Sequence, residues 1–499
     1  MPWEAIYWIA RAKSSTYSDM ERMDVAVIGG GILGCFAARN LCRWKLSVAL
    51  LEAREDVCTG ISRANTAIVY PGYDHMPGTL KAAMTVRANA SFQTLCKELD
   101  VPFLQCGSLM LSYGENADRI LQKKFRQGVQ NQVPGLQMLS EDEARRLEPM
   151  LSPGLHTALY APSAGTVNPW QLGIAACENA VHNGAQLFLN RAVCGIHMED
   201  GGYVLESKSG DLFVRAVINC AGLASASVQE MLFPPSIRIT PTAGDYLVLD
   251  KASKPFPSCI LQYEPDQKGK GLSVVPTVEG SILIGPSERD NETDYATSQT
   301  GLSFIRECAR RLLPNLDLAE VIRSFAAVRP NPQRADGSSI RSFPIEHPAP
   351  AFWSLIGIKT PGLTCAQELG AYIAQKVAGE LGSEPNSSFD PIRMGIRRPH
   401  TLSFEDRKAL VTENPDFGEV VCCCEDVTKA EILESVRRGA VTVDGVKRRT
   451  GAGMGRCQGG KCQQKITALL AEVLQVDEST VTKDGNDSQI IRSGRRETL

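Results

Sequence analysis

The 499-residue sequence has no apolar run of the roughly 18–20 residues needed to span a bilayer. Membrane contact is therefore expected only at the periphery, through another subunit. It also lacks a basic stripe. The net charge is −3, which argues against nucleic acid as a partner. Residues 1–22, MPWEAIYWIARAKSSTYSDMER, have neither the basic start nor the long apolar centre of an export signal and carry Glu4; they read as an extension before the first strand. No internal repeat or low-complexity tract breaks the chain. What remains is an ordinary composition, 43% apolar and 22% charged, on a chain long enough for several cores.

Cysteine is abundant. Eleven of the 16 are scattered through the first 365 residues in apolar settings such as Cys35, Cys42 and Cys220, as buried reduced thiols are. Without an export signal, this predicts a reducing cytoplasm. The last five crowd between Cys422 and Cys462.

The most informative stretch is Asp24–Glu52. Val25–Ile28 suits a strand covered on both faces. Gly29, Gly31 and Gly34 then supply a G-x-G-x-x-G spacing: one glycine for a tight turn, one for backbone approach to a pyrophosphate, one for close helix–strand packing. Leu33, Phe36, Ala37, Leu41 and Trp44 recur at helical spacing, and Leu46–Leu51 resumes a strand. Glu52 falls where an acid accepts the hydroxyls of an adenosine ribose. The unit predicts a Rossmann-like dinucleotide site.

The loop AREDVCTGISRANTAIVYPGYD (53–74) and the following Gly78-Thr79-Leu80-Lys81 extend the pattern. Together with the glycine loop they resemble the D-amino-acid-oxidase superfamily of FAD-dependent oxidoreductases, in the branch of L-2-hydroxyglutarate oxidase and the anaerobic-type glycerol-3-phosphate dehydrogenases. The resemblance implies a glutathione-reductase-like FAD-binding domain of mixed α/β and α+β class. It places Ser62, Arg63, Asn65 and Thr66 against the pyrophosphate and isoalloxazine, Val193 against adenine, and Ala221 and Gly222 beside the adenosine phosphates. Gly357-Ile358-Lys359-Thr360-Pro361-Gly362-Leu363-Thr364 resembles the family's turn at the flavin pyrimidine, which implicates Gly362, Leu363 and Thr364.

Residues 78–149 read as helices, the last opened by a capping box, Ser140 and Glu143. Alternation over ITPTAGDYLVLD, GKGLSVVPTV and GSILIG predicts an antiparallel sheet with one face toward a ligand. The expected organisation is an FAD-binding domain from residues 23–77, 150–235 and 320–385. A substrate domain follows from 78–149 and 236–319, a linker from 386–415, a small helical domain from 416–476 and a surface tail from 477–499.

In the small domain, Cys422-Cys423-Cys424-Glu-Asp-Val-Thr is followed by Cys457-Gln-Gly-Gly-Lys-Cys462, with 32 residues between Cys424 and Cys457. Four thiolates from two loops suit a tetrahedral zinc or a [2Fe-2S] cluster. C-x-C with C-x-x-x-x-C is unusual for zinc, and Gly459 and Gly460 offer N–H groups to sulfur. The spacing resembles bacterioferritin-associated-ferredoxin-like [2Fe-2S] domains. That resemblance names Cys422, Cys424, Cys457 and Cys462 as ligands, with Cys423 a departure able to compete.

FAD and an iron–sulfur centre in one chain imply hydride transfer to flavin and single electrons passed outward, hence a dehydrogenase with a second redox subunit, acceptor protein or quinone as partner. Relatives place an anion-binding arginine at Arg329 and pocket hydroxyls at Tyr73 and Tyr246. Lys359 ends a buried strand, where burial would lower its pKa and suit it to take a proton or polarise the flavin. Glycerol 3-phosphate or an L-2-hydroxy acid is the expected substrate class. Tyr70 and Glu279 stand where this branch carries histidine, which leaves open a secondary-amine or imino-acid substrate. A non-catalytic electron-transfer subunit is the remaining alternative.

Overall fold

The computed structural model describes residues 20–251, 256–264, 271–338 and 340–491; most of the N-terminal extension and the last eight residues of the tail lie outside them. Two large sheets dominate. The first has the strand order Val193–Glu199, Gly202–Ser207, Leu212–Asn219, Glu21–Ile28, Val48–Leu51, Gln186–Phe188. Its last four strands run parallel, and Phe352–Leu355 joins beside the end of Leu212–Asn219. Val25, Ala26, Val27 and Val48 to Leu51 are almost completely buried, as strands covered on both faces must be. Helices Ile32–Leu41, Pro169–His182 and Ala366–Glu380 pack on that sheet in one core.

The second sheet has nine strands, antiparallel except where Ile260–Glu264 runs parallel to Ser108–Ser112. Its longest pair is Ile237–Leu249 with Val321–Arg334, in register from Ile237↔Arg334 to Tyr246↔Phe325 and on to Leu249↔Val321. Helix Gln299–Leu312 covers its other face.

Three expectations are corrected. Residues 78–149 contain strands Phe103–Leu104, Ser108–Ser112 and Gln137–Ser140 between their helices. Thr157–Ala161 and Val321–Arg334, grouped with the dinucleotide half, pair instead in the nine-stranded sheet. Residues 386–415 are not a free linker: helix Phe404–Glu413 forms there, and Arg393 reaches Glu178 at 2.6 Å.

The C-terminal unit has its own core of Val427, Ile432, Val446, Ile466 and Leu470. It is built from hairpin Val420–Cys422/Val427–Thr428 and helices Lys429–Arg437, Val443–Thr450 and Gln463–Leu474. The segment after residue 477 is not merely a surface tail. The N–H groups of Val443 and Asp444 donate to the carbonyls of Thr482 and Lys483, and this segment lies against the first domain.

Candidate functional site

The glycine turn has the geometry that its spacing predicts. Gly29 has φ +103°, and a Cβ there would lie 2.7 Å from the Cys220 carbonyl oxygen; at Gly34 it would lie 1.8 Å from that of Gly29. Backbone therefore crosses backbone at both positions. At Gly31 only the Ser62 hydroxyl would be near, at 3.4 Å, and Gly222 opens onto free space. Tight where the chain crosses itself and open where a phosphate would lie, the turn fits a dinucleotide. Gly31 gives helix Ile32–Leu41 no side-chain cap, leaving an anion-seeking N-terminus.

Ser62 Oγ accepts the Ile32 N–H at 2.9 Å. Glu52 accepts from the N–H groups of Gly30 at 2.6 Å and Arg54 at 2.9 Å, while burial raises its carboxyl above the ordinary range. Asn65 shapes the loop, donating to the Ser62 carbonyl and accepting from the Ala67 N–H. Thr364 Oγ1 accepts the Tyr70 N–H at 3.0 Å and so ties the Gly362–Thr364 turn to this loop. Val193 opens the strand Val193–Glu199 opposite Ser207, and the Ala221 N–H donates to Asn219 Oδ1. Arg63 differs from expectation: its guanidinium pairs with Asp484 of the C-terminal segment.

The register of the long pair builds the opposite wall. Side chains two apart share a face, so Phe325, Ala327, Arg329 and Asn331 line up with Tyr246, Gly244, Thr242 and Thr240. Tyr246 stacks on Phe325 at 4.7 Å between ring centroids. Arg329 Nη2 reaches Glu288 at 3.1 Å, and its buried Nε has no hydrogen-bond partner among the described residues. Lys359 enters from the flavin turn and donates to Asn331 Oδ1 at 2.6 Å. Burial first, then the neighbouring Arg329 charge, hold its ammonium below the usual lysine range against the opposing pull of Glu288.

The half-buried Lys81 is a third cation here, and desolvation and then Lys359 lower it. The sequence reading passed over it; the signal was its place in the first turn after the capping Thr79. The Tyr70 hydroxyl is hydrogen-bonded to Thr66, and burial first holds its phenol protonated beyond the ordinary range. Tyr73 is not in the wall. It is 1% exposed in a separate core cluster, and its hydroxyl donates to Gln262. Glu279 is hydrogen-bonded by Asn168.

The cysteine loops bring Cys422 to Cys462 and Cys424 to Cys457. Cys422 and Cys462 are buried, whereas Cys423 is exposed. The Cys422 thiol is pushed down to about 5, chiefly by a hydrogen bond from Cys462 and then, against desolvation, by the N–H groups of Gly453, Glu425 and Cys424. Gly453 donates to its Sγ at 3.5 Å. A Cβ on Gly455 would stand 2.5 Å from that of Cys424. Amide donors aimed at sulfur and a close glycine backbone fit a thiolate-held cluster. Of the two glycines expected to serve this role, Gly459 does so toward Cys457, while the Gly460 N–H goes to the Cys457 carbonyl.

A dinucleotide turn facing a cationic sheet wall, joined to a four-thiol domain, defines a flavin oxidoreductase with an appended iron–sulfur centre. The FAD dependent oxidoreductase family matches residues 24–376, and the BFD-like [2Fe-2S] binding domain matches residues 420–472. The chain belongs to the FAD dependent oxidoreductase family, with FAD and a [2Fe-2S] cluster as its cofactors. It is 38% identical over 477 residues to glycerol 3-phosphate dehydrogenase of Caloramator mitchellensis, covering 94% of this chain and 98% of that protein. Over 372 residues it is 25% identical to human mitochondrial L-2-hydroxyglutarate dehydrogenase, covering 64% of this chain and 80% of that one. The fold matches the FAD-bound L-alpha-glycerophosphate oxidase of Mycoplasma pneumoniae with a TM-score of 0.68 at 25% identity, over 75% of this chain and 99% of that one. The glycerol-3-phosphate dehydrogenase of Bacillus halodurans complexed with FAD gives 0.65 at 17% identity, over 92% of each chain.

Proposed function

We propose that this enzyme is a dehydrogenase of glycerol 3-phosphate, oxidising its secondary hydroxyl and passing electrons through the [2Fe-2S] cluster to an external acceptor. The observation that carries the reading is the cationic wall: Arg329 beside Lys359, with Lys81 near Lys359, three basic groups against the carboxylates of Glu288 and Asp74. A guanidinium can grip a phosphate bidentately. Similarity over nearly the whole chain to a glycerol 3-phosphate dehydrogenase supports the same substrate.

When bound, FAD supplies a two-electron hydride acceptor and the cluster a one-electron outlet. Arg329 anchors the phosphate. Lys359, held below the usual lysine range, takes the hydroxyl proton in its neutral form, and Asn331 fixes its Nζ. Tyr70, protonated and tied to Thr66, donates a hydrogen bond where the branch has histidine. Ser62, Asn65 and Thr364 hold the loop and turn that receive the flavin. Cys422, Cys424, Cys457 and Cys462 hold the cluster.

The acceptor is a second redox protein or a quinone-linked subunit, as the one-electron cluster in the same chain supports; no helix among the described residues is long and apolar enough to cross a membrane. Anaerobic titration with glycerol 3-phosphate should bleach the flavin absorbance. Bleaching by L-2-hydroxyglutarate or by sarcosine instead would replace this substrate with a hydroxy acid or an amine.

A further inference from the structure

The loop between Glu52 and Ser62 is held from outside its own domain. Asp56, near its middle, is 2% exposed. Its carboxylate accepts from Arg448 Nη2 at 2.9 Å and from Arg449 Nη1 and Nη2 at 2.8 Å each. Both arginines belong to helix Val443–Thr450 of the iron–sulfur domain. At the end of the loop Arg63 pairs with Asp484, which also accepts from Arg448 Nη1 at 3.0 Å. The chain turns there at Gly485, close against Glu55. Two acids and three arginines thus fasten residues 56–63 at two points. The fastened stretch contains Ser62 and follows Glu52, the two side chains that bind the N–H groups of the dinucleotide turn.

We propose that the iron–sulfur domain and the segment after it form a clasp on the FAD-binding loop, with Asp56 and Asp484 as positioning residues, so that flavin retention and domain docking are coupled. Ordering a loop costs conformational entropy, and a loop already ordered by the clasp need not be ordered by the flavin. Linkage makes the effect reciprocal: bound FAD must tighten docking by the factor by which docking tightens FAD. A buried carboxylate shared by two arginines makes the clasp costly to open, because removing the acid takes away the bidentate partner of Arg449 and leaves Arg448 with Asp484 alone.

The test compares Asp56→Asn, Asp484→Asn and Asp118→Asn in the full-length protein loaded with both cofactors, with iron content and visible circular dichroism checked on each. Asp118 accepts from Thr157 at 2.7 Å, a contact of helix Glu115–Gln130 with the nine-stranded sheet in which the iron–sulfur domain has no part. FAD dissociation constants are read from the recovery of free-flavin fluorescence. Asp56→Asn should weaken FAD by about tenfold or more and Asp484→Asn by at least about threefold, with iron unchanged and Asp118→Asn within about twofold. A folded Asp56→Asn protein within about twofold of the parent, or an equal loss in Asp118→Asn, overturns the clasp. Should Asp56→Asn not fold, Asp484→Asn decides alone, since its side chain is 21% exposed and Asp56 keeps both arginines; a loss below about threefold overturns the proposal. Adding FAD to protein stripped of flavin should also slow hydrogen exchange in residues 443–450, and unchanged exchange there overturns the reciprocity.

Discussion

Arg329 is paired with Glu288 and, with burial, holds the neighbouring Lys359 below the usual lysine range, so the two side chains divide anion binding from proton transfer and single substitutions should separate them. Removing a charged hydrogen-bond donor from a half-buried site costs about 1.5–3 kcal/mol. Arg329→Ala should therefore raise KM for glycerol 3-phosphate by about tenfold to a hundredfold in steady-state assays. For Lys359 the active form is neutral, and its pKa is lowered by burial and by Arg329. The rate of flavin reduction should thus climb as pH rises, with its inflection below the ordinary lysine range. Stopped-flow measurement of Lys359→Met should find the rate low and flat across that window. Arg329 was implicated by the resemblance and by the proline after it, although its strand runs on to Arg334; Lys359 was implicated as the end of a buried strand, whereas that strand stops at Leu355 and Lys359 lies in the loop before the Gly362–Thr364 turn. Tyr73 and Lys81 were misjudged for one reason: an aromatic hydroxyl or a lysine in a helical stretch says nothing of its facing until the long-range partner, Gln262 for one and Lys359 for the other, is known.

Elements differ in how much of their partnering the chain declares locally. The strand–turn–helix of Glu21–Leu41 is self-contained, and its glycines carry the information. A methyl group at residue 34 would meet a backbone oxygen at 1.8 Å. Gly34→Ala should consequently purify without flavin absorbance, since neither strand nor helix can yield. The strand Ser108–Ser112 was invisible because its partners are residues 157–161 and 260–264, and five buried residues carry no period that separates strand from helix. Val321–Arg334 runs through Pro330 and Pro332, which in sequence look like terminators. Among the described residues it pairs only with Ile237–Leu249, and an edge strand tolerates proline. The capping box of helix Lys429–Arg437 adds a pH effect. Burial, opposed by its hydrogen bonds to Thr428, lifts Glu431 to about 6 from 4.5. A carboxyl raised on folding favours the protonated native state. Stability is therefore fullest below the unfolded value and falls, by on the order of 2 kcal/mol, as pH rises through about 6. Glu431→Gln should flatten that slope in urea unfolding followed at the iron–sulfur domain.

At the level of the whole molecule, the iron–sulfur domain is docked by buried charge. Besides Asp56, Glu178 is 6% exposed and accepts from Arg393 at 2.6 Å and Arg438 at 3.1 Å; at the exposed rim Arg456 reaches both Asp250 and Glu320. Screening weakens such pairs little once water is excluded, so docking should survive high salt. Breaking one buried carboxylate should not be survived as well: Glu178→Gln takes from Arg393 its carboxylate and leaves Arg438 with Glu434 alone, at a cost of about 3–5 kcal/mol. Calorimetry of that variant should resolve a separate, earlier transition for residues 420–472. The cysteine spacing announced this domain. Its seat could not be read, because the arginines concerned look like surface charges until their carboxylates are found across the chain.

The pairing of Arg63 with Asp484 joins residues 421 apart in sequence. At about 5–20 residues per second, a ribosome needs roughly 20–80 s to travel from one to the other. A nascent chain therefore exposes its finished glycine turn long before the last contact on the neighbouring loop can form. Tight flavin capture is thereby deferred to the end of synthesis, when the sulfur-bearing loops have also emerged.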